Sequence, residues 1–201
     1  MALPGVASGA AADQDQVVAR RAVFLDRDGV INRAIVRDGK PYAPRSLAEL
    51  EILPGVAEAL ERLRAAGFLT VIVTNQPDVG AGKLPRVTLD AMHAELRQRL
   101  AIDDVRVCPH TEADGCACRK PKPGMLLDAA RELGIDPGQS YMVGDRWRDV
   151  AAAQAADCTA LFIDYGYLEK GPDKPYLAVK SLPEAAALIL STPTSRPMGK
   201  S

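Results

Sequence analysis

Strand-like and helix-like segments alternate along this chain from Ala22 to Leu190, and that alternation constrains the fold more than any other feature. Ala22–Asp26 reads as a buried strand. Pro54–Ala66 reads as a helix, opened by Pro54 and Gly55 and stopped by Gly67. Phe68–Thr74 is strongly β-branched and reads as a strand. Leu84–Leu100 is a predicted helix with Pro85 in its first turn, and Asp104–Cys108 a short strand. Pro123–Leu133 is a helix closed by Gly134. Ser140–Val143 and Thr159–Ile163 are strands, Arg148–Ala156 lies between them as a helix, and Pro183–Leu190 closes the series. Such alternation implies an α/β fold, a Rossmann-like doubly wound parallel sheet with helices on both faces. No internal repeat is visible, and residues 33–52 form a long, weakly patterned connection.

The chain has 201 residues, which suits one domain with tails. We place the domain at residues 21–191, a loose Ala-, Gly-, Asp- and Gln-rich tail at 1–20, and a polar flexible tail at 192–201. Net charge is −1 and aromatics are 4%, so neither a basic stripe nor a base-stacking platform exists and nucleic acid is not an expected partner. No apolar run is long enough to span a bilayer, and Met1–Arg20 lacks the charged and apolar regions of a signal peptide. A cytoplasmic protein with no membrane partner is expected. Without a strong apolar surface stripe, so is a monomer.

In open α/β sheets, ligands bind beyond the carboxyl ends of the strands. Asp26, Thr74 and Asp145 each sit at such an end. Asp26 and Asp28 are spaced i, i+2 and followed by Gly29, so an extended chain points both carboxylates into one volume. Two carboxylates there can hold Mg2+, or divide the roles of nucleophile and proton donor; they can also be mere turn formers. Thr74, Asn75 and Gln76 offer a hydroxyl and two amides for phosphoryl oxygens, though such residues also make ordinary turns. Asp145 can complete a Mg2+ site, with Asp149 supporting it one helical turn on. The alternative is a helix N-cap with a negative first turn. P-loop, nucleophile-elbow and dinucleotide-binding motifs are absent: Pro77 occupies the position where a P-loop needs its first glycine.

Three of the four cysteines fall within eleven positions, too local for a disulfide framework. Cys108, His110, Cys116 and Cys118 make a Cys3His set, which suits a closed, tetrahedral structural Zn2+ site better than free buried thiols. Arg119 and Lys120 follow directly, so a rigid loop would fix their cations where phosphoryl charge develops, unless they form only a solvated basic turn. Cys158 reads as a small buried hydrophobe, and His93 as a solvated or packed helix residue.

Taken in order, Asp26-x-Asp28-Gly29, Thr74-Asn75-Gln76, Lys120 and Gly144-Asp145…Asp149 resemble the four motifs of haloacid-dehalogenase superfamily phosphohydrolases. With the metal loop, the resemblance narrows to the subgroup of D-glycero-D-manno-heptose 1,7-bisphosphate and histidinol-phosphate phosphatases, over residues 22–165. It implies Asp26 as nucleophile and Asp28 as general acid and then base. Thr74 and Lys120 would bind the phosphoryl group, and Asn75, Gln76, Arg119 and Arg146 the substrate. Mg2+ would be held by Asp26, the Asp28 carbonyl and Asp145, and structural Zn2+ by the Cys3His set. Asp26 and Thr74 lie 48 positions apart and Thr74 and Lys120 46, which leaves no room for a separate cap domain. Residues 74–83 and 119–127 look more like the heptose enzymes, which act on a sugar bisphosphate in nucleotide-heptose biosynthesis. The short His110–Cys116 stretch is shared with histidinol phosphatases, the alternative reading. A catalytically silent zinc-stabilised module is the alternative from another class. Asp157 stands where the family usually has glycine, and costs stability if that position needs a positive φ.

Overall fold

In β1 (Arg21–Leu25) every residue after the first is buried, and in β4 (Phe68–Asn75) every residue before the last. Strands apolar on both faces belong in a parallel sheet covered by helices, and that is the architecture of the computed structural model, which describes residues 19–192. Six parallel strands run in the order β5-β4-β1-β6-β7-β8, with β5 at Asp104–Cys108, β6 at Tyr141–Gly144, β7 at Thr159–Ile163 and β8 at Leu177–Val179.

Successive residues of β1 face opposite layers. Val23 and Leu25 pack with α1 (Val56–Ala65) and the closing helix Leu182–Ser191. Ala22 and Phe24 pack with helices Gly124–Leu133 and Trp147–Ala155 on the other face. The chain winds outward from β1 to β4 and β5, then returns to β6 on its other side. The switch in winding direction therefore lies beside β1, where a crevice opens at the strands' carboxyl ends.

Several elements differ from the sequence reading. The segment 33–52 is not patternless: β2 (Ile35–Arg37) and β3 (Lys40–Tyr42) form an antiparallel hairpin outside the main sheet. Its two-residue turn is Asp38-Gly39 with φ of 50° and 70°, the left-handed pair that a tight hairpin turn requires. A one-turn helix, α2 (Pro77–Gly80), follows β4, and the next helix, α3, spans Arg86–Arg99. Pro85 is extended and caps α3 from outside its first turn. The short strand β8 carried no sequence signal. In chain order the three remaining helices are α4 (Gly124–Leu133), α5 (Trp147–Ala155) and α6 (Leu182–Ser191).

The two tails fall outside the described residues except for Ala19, Arg20 and Thr192. Arg20 is drawn into the domain: its N–H donates to Gly134 O at 2.8 Å and its carbonyl accepts from Asp136 at 2.9 Å. Asp157 does carry a positive φ, 59°. Among the described residues no helix is long and apolar enough to cross a membrane, and no second domain covers the cleft.

Candidate active site

Parallel pairing aligns the ends of β4, β1 and β6, so Thr74, Asp26 and Asp145 emerge on one edge. Backbone pairing continues one step past β1, where Asp26 N donates to Val143 O at 2.9 Å. They border a cleft of about 320 Å3 that Lys40 and Tyr42 of the hairpin wall on one side and Arg119 on another.

Lys120 organises the floor. Its Nζ donates to Asp149 Oδ1 at 2.6 Å, Val73 O at 2.7 Å and Asp26 Oδ1 at 2.8 Å, so all three ammonium donors are used. Burial alone would lower its pKa, but the Asp149 and Asp26 carboxylates outweigh that and raise it. Lys120 therefore stays charged. Its backbone is pinned by Asn75, whose amide donates to Lys120 O at 3.0 Å and accepts from Lys120 N at 3.1 Å.

Asp26, Asp145 and Asp149 bring carboxylate oxygens within 4.8 Å of one another. Burial, with Asp149 and Asp28 nearby, pushes Asp26 up to about 6 against the pull of Lys120. Asp145 is raised well above its ordinary value by burial and by the Asp26 and Asp149 charges. Asp149 spends its oxygens on Lys120 and on Arg146 N, 3.0 Å away, where it also caps α5. Asp145 is different. Its Oδ2 accepts from the Tyr167 hydroxyl at 3.0 Å, but Oδ1 is buried with no partner. An unpartnered carboxylate oxygen among like charges is costly unless a cation shares the site. The donor set, all hard oxygens, fits Mg2+. Two glycines make the room: a Cβ on Gly29 would sit 1.9 Å from Asp145 Oδ2, and one on Gly144 2.1 Å from Asp149 Cβ.

Asp28 faces the cleft from the turn after β1, oriented by four donors. Arg27 Nε donates to Oδ1 at 3.1 Å and Nη2 to Oδ2 at 3.0 Å; Asn32 Nδ2 donates to Oδ1 and Gln76 Nε2 to Oδ2, each at 2.9 Å. Gln76 also donates to Thr74 Oγ1 at 3.0 Å. Arg27 is fully buried, and its Nη1 lies 3.2 Å from His93 Nε2. A guanidinium only donates, so that nitrogen accepts and is unprotonated. Burial and the Arg27 charge bring His93 down to about 4.

The Cys3His loop adjoins this floor. Sγ of Cys108 lies 3.7 Å from Cys116 Sγ, 3.2 Å from Cys118 Sγ and 3.6 Å from His110 Nδ1. His110 Nδ1 and Cys116 Sγ are 3.3 and 3.5 Å from Cys118 Sγ. Ligands on a tetrahedral zinc sit about 3.7 Å apart, so the set is preformed for such an ion. All four cysteines are free thiols, and Cys158 is buried as expected. The loop packs tightly: a Cβ on Gly80 would lie 2.3 Å from Pro109 O, and one on Gly124 2.4 Å from Ala117 O. Lys122 bonds Gly115 O at 2.8 Å and Cys116 O at 2.9 Å. Arg119 donates to His110 O at 3.1 Å and lines the cleft.

The structure thus brings Asp26, Asp28, Thr74, Asn75, Gln76, Arg119, Lys120, Asp145, Arg146 and Asp149 to one cleft. Both amides line the cleft, and each has protein partners: Asn75 engages the Lys120 backbone, and Gln76 is buried on Asp28 and Thr74. Arg146 lines the cleft with its guanidinium on Glu169. Four residues were not read from sequence: Arg27, His93 as its acceptor, Tyr167 and Glu169. Arg27 gave one available signal. Alternation turns it away from the cleft between Asp26 and Asp28, toward the core, where a cation needs partners.

A six-stranded parallel sheet with carboxylates at its switch point and a lysine on the first of them defines a haloacid dehalogenase-like hydrolase, and that family's sequence profile matches residues 27–157. The chain is 42% identical over 163 residues, 73% of its length and 84% of the relative's, to a D-glycero-alpha-D-manno-heptose-1,7-bisphosphate 7-phosphatase of Mycobacterium tuberculosis. It is 39% identical to a D-glycero-beta-D-manno-heptose-1,7-bisphosphate 7-phosphatase of Pseudomonas aeruginosa, over 74% of this chain and 84% of that one. The fold matches the D,D-heptose 1,7-bisphosphate phosphatase of Bordetella bronchiseptica, solved with magnesium and phosphate, at a TM-score of 0.74 and 34% identity, covering 85% and 98% of the two chains. The chain belongs to the heptose-bisphosphate phosphatase family of these hydrolases.

Proposed function

We propose that this phosphatase removes the 7-phosphate of a D-glycero-D-manno-heptose 1,7-bisphosphate through an aspartyl-phosphate intermediate, as a cytoplasmic monomer serving nucleotide-heptose biosynthesis. The observation that carries the reading is the meeting of Asp26, Asp28, Thr74, Lys120 and Asp145, from four separate segments, in one cleft. Relatives named for the alpha and for the beta heptose bisphosphate support the substrate class.

In this reading an Asp26 carboxylate oxygen attacks the 7-phosphorus while the bond to the sugar oxygen breaks. Asp28 gives that oxygen its proton, then takes one from the water that hydrolyses the aspartyl-phosphate. The four donors around Asp28 fix the orientation of its carboxyl group. Thr74 holds a phosphoryl oxygen, and the Lys120 donor on Asp26 passes to another as Asp26 attacks; until then the Lys120 charge keeps the approaching phosphate from meeting an uncompensated negative cluster. Asn75 fixes Lys120, Gln76 fixes Asp28 and Thr74, and Arg119 and Arg146 face the rest of the substrate. Asp26, the Asp28 carbonyl and Asp145 would hold Mg2+, which when bound neutralises charge in the displacement. Cys108, His110, Cys116 and Cys118 would hold Zn2+ with no open position, so that ion shapes the loop under Arg119 and Lys120.

The test is phosphate release with Mg2+ from the α and β heptose 1,7-bisphosphates and from histidinol phosphate, side by side. We expect one heptose anomer to lead histidinol phosphate by a hundredfold or more in kcat/KM, about 2.7 kcal/mol of transition-state discrimination. Equal, slow turnover of all three overturns the substrate assignment and leaves the family chemistry standing.

A further inference from the structure

The segment after β7 crosses from the metal-binding edge to the hairpin and makes four contacts in five residues. The Tyr165 hydroxyl donates to Gly29 O at 3.0 Å, and the Tyr167 hydroxyl to Asp145 Oδ2 at 3.0 Å. Leu168 N donates to Gly39 O at 2.8 Å, and Glu169 accepts from Arg146 Nε at 3.0 Å. Of these, the Tyr167 bond alone reaches a carboxylate of the buried cluster.

We propose that Tyr167 is a positioning residue for the divalent cation, holding Asp145 by Oδ2 so that Oδ1 is presented to the ion. A carboxylate turns easily about its last bond, whose torsional preference is broad. Here one oxygen is enclosed, between the bare Cα of Gly29 and the tyrosine hydroxyl, and the other is left buried and unpartnered. The kind of donor matters too. Asp149 gives an oxygen to the Lys120 ammonium, and so does Asp26, which compensates part of their charge. Tyr167 is a neutral donor. It fixes Asp145 without cancelling the charge a cation needs, as outer-shell partners of metal ligands commonly do.

The inference rests on reading Asp26 and Asp145 as the Mg2+ site. The experiment therefore measures metal binding with no substrate present. Zinc-replete full-length protein, dialysed free of Mg2+, is titrated with MgCl2 by calorimetry and by the fluorescence of its single tryptophan, Trp147, two residues from Asp145. Tyr167→Phe should weaken Mg2+ binding about 10- to 100-fold, with an unchanged circular dichroism spectrum. Saturating Mg2+ should then restore phosphate release to near the wild-type kcat. Tyr165→Phe, which loses a bond to a backbone carbonyl, should shift affinity by less than about threefold. Unchanged Mg2+ affinity in Tyr167→Phe overturns the proposal, and so does equal weakening in both variants, which would credit the whole segment instead. If Asp145→Asn binds Mg2+ as wild type does, the metal-site reading falls and takes this role with it. That outcome is distinct from a wrong substrate, which leaves the titration untouched.

Discussion

Two clusters of side chains that could hold a metal ion lie side by side in this protein and are built in opposite ways. The Cys3His set comes from eleven consecutive positions, Cys108 to Cys118, with ligand atoms already within 4.8 Å of one another. The carboxylate set comes from the ends of β1 and β6 and the start of α5, and exists only once the sheet has formed. The first is soft, local and partly exposed. The second is hard, assembled over long range and buried, with like charges that raise one another's pKa. Lys120 joins them: two residues past Cys118 in the chain, it places its ammonium between Asp26 and Asp149. A local Cys3His loop can thus deliver a cation to a site that only tertiary structure can make.

The contrast can be broken from either side. Asp26→Asn should lower phosphate release by roughly a thousandfold or more while leaving zinc content and melting temperature intact, because it relieves a crowded buried charge. Loss of zinc in that variant would show the two clusters to be one structural unit. Lys120→Met removes the shared cation and leaves the carboxylates uncompensated. It should cost about 3–5 kcal/mol in urea unfolding without Mg2+, and added Mg2+ should recover part of it.

His93 tests the long-range side through pH. Its folded pKa is depressed to about 4 from 6.5, so the unfolded chain takes up the proton first. The stability that the neutral imidazole contributes is complete above pH 6.5 and is lost as pH falls toward 4, on the order of 3 kcal/mol. His93→Gln keeps an acceptor for Arg27 and should flatten that slope when unfolding is compared at the two ends of the window.

Cys116→Ser should drop zinc below one per chain by elemental analysis and lower kcat/KM about tenfold, as loosened metal-site support commonly does, while Mg2+ affinity holds. The smallest effect is Asp157→Gly. Relief of the positive φ should stabilise by about 1 kcal/mol, partly offset by the greater freedom of glycine when unfolded. A rise in melting temperature of about 2–4 °C checks it.

The same contrast explains what could be read from sequence. The zinc-type ligands were legible because their spacing is itself the geometry. Asp26, Thr74 and Asp145 were legible because a parallel sheet places all its strand ends on one edge, so topology alone brings them together. The strained Asp157 was legible from a missing glycine. For Arg27 alternation signals a buried cation but not its partner: His93 lies 66 positions away on α3, and no local pattern pairs them. Tyr167 was not legible, since a tyrosine in a loop has no spacing rule linking it to an aspartate 22 positions earlier. The β2–β3 hairpin had a signal in Asp38-Gly39, but three-residue strands are too short to show periodicity.

That hairpin stands apart from the six-stranded sheet, yet it sets Lys40 and Tyr42 on the wall of the cleft. Its tie to the loop after β7 is the bond from Leu168 to Gly39. The engineering consequence is modularity. This part of the cleft wall lies outside the main sheet, so it can be shortened, lengthened or exchanged as a cassette without touching the register of any core strand. A change of substrate on this scaffold need not be a change of chemistry.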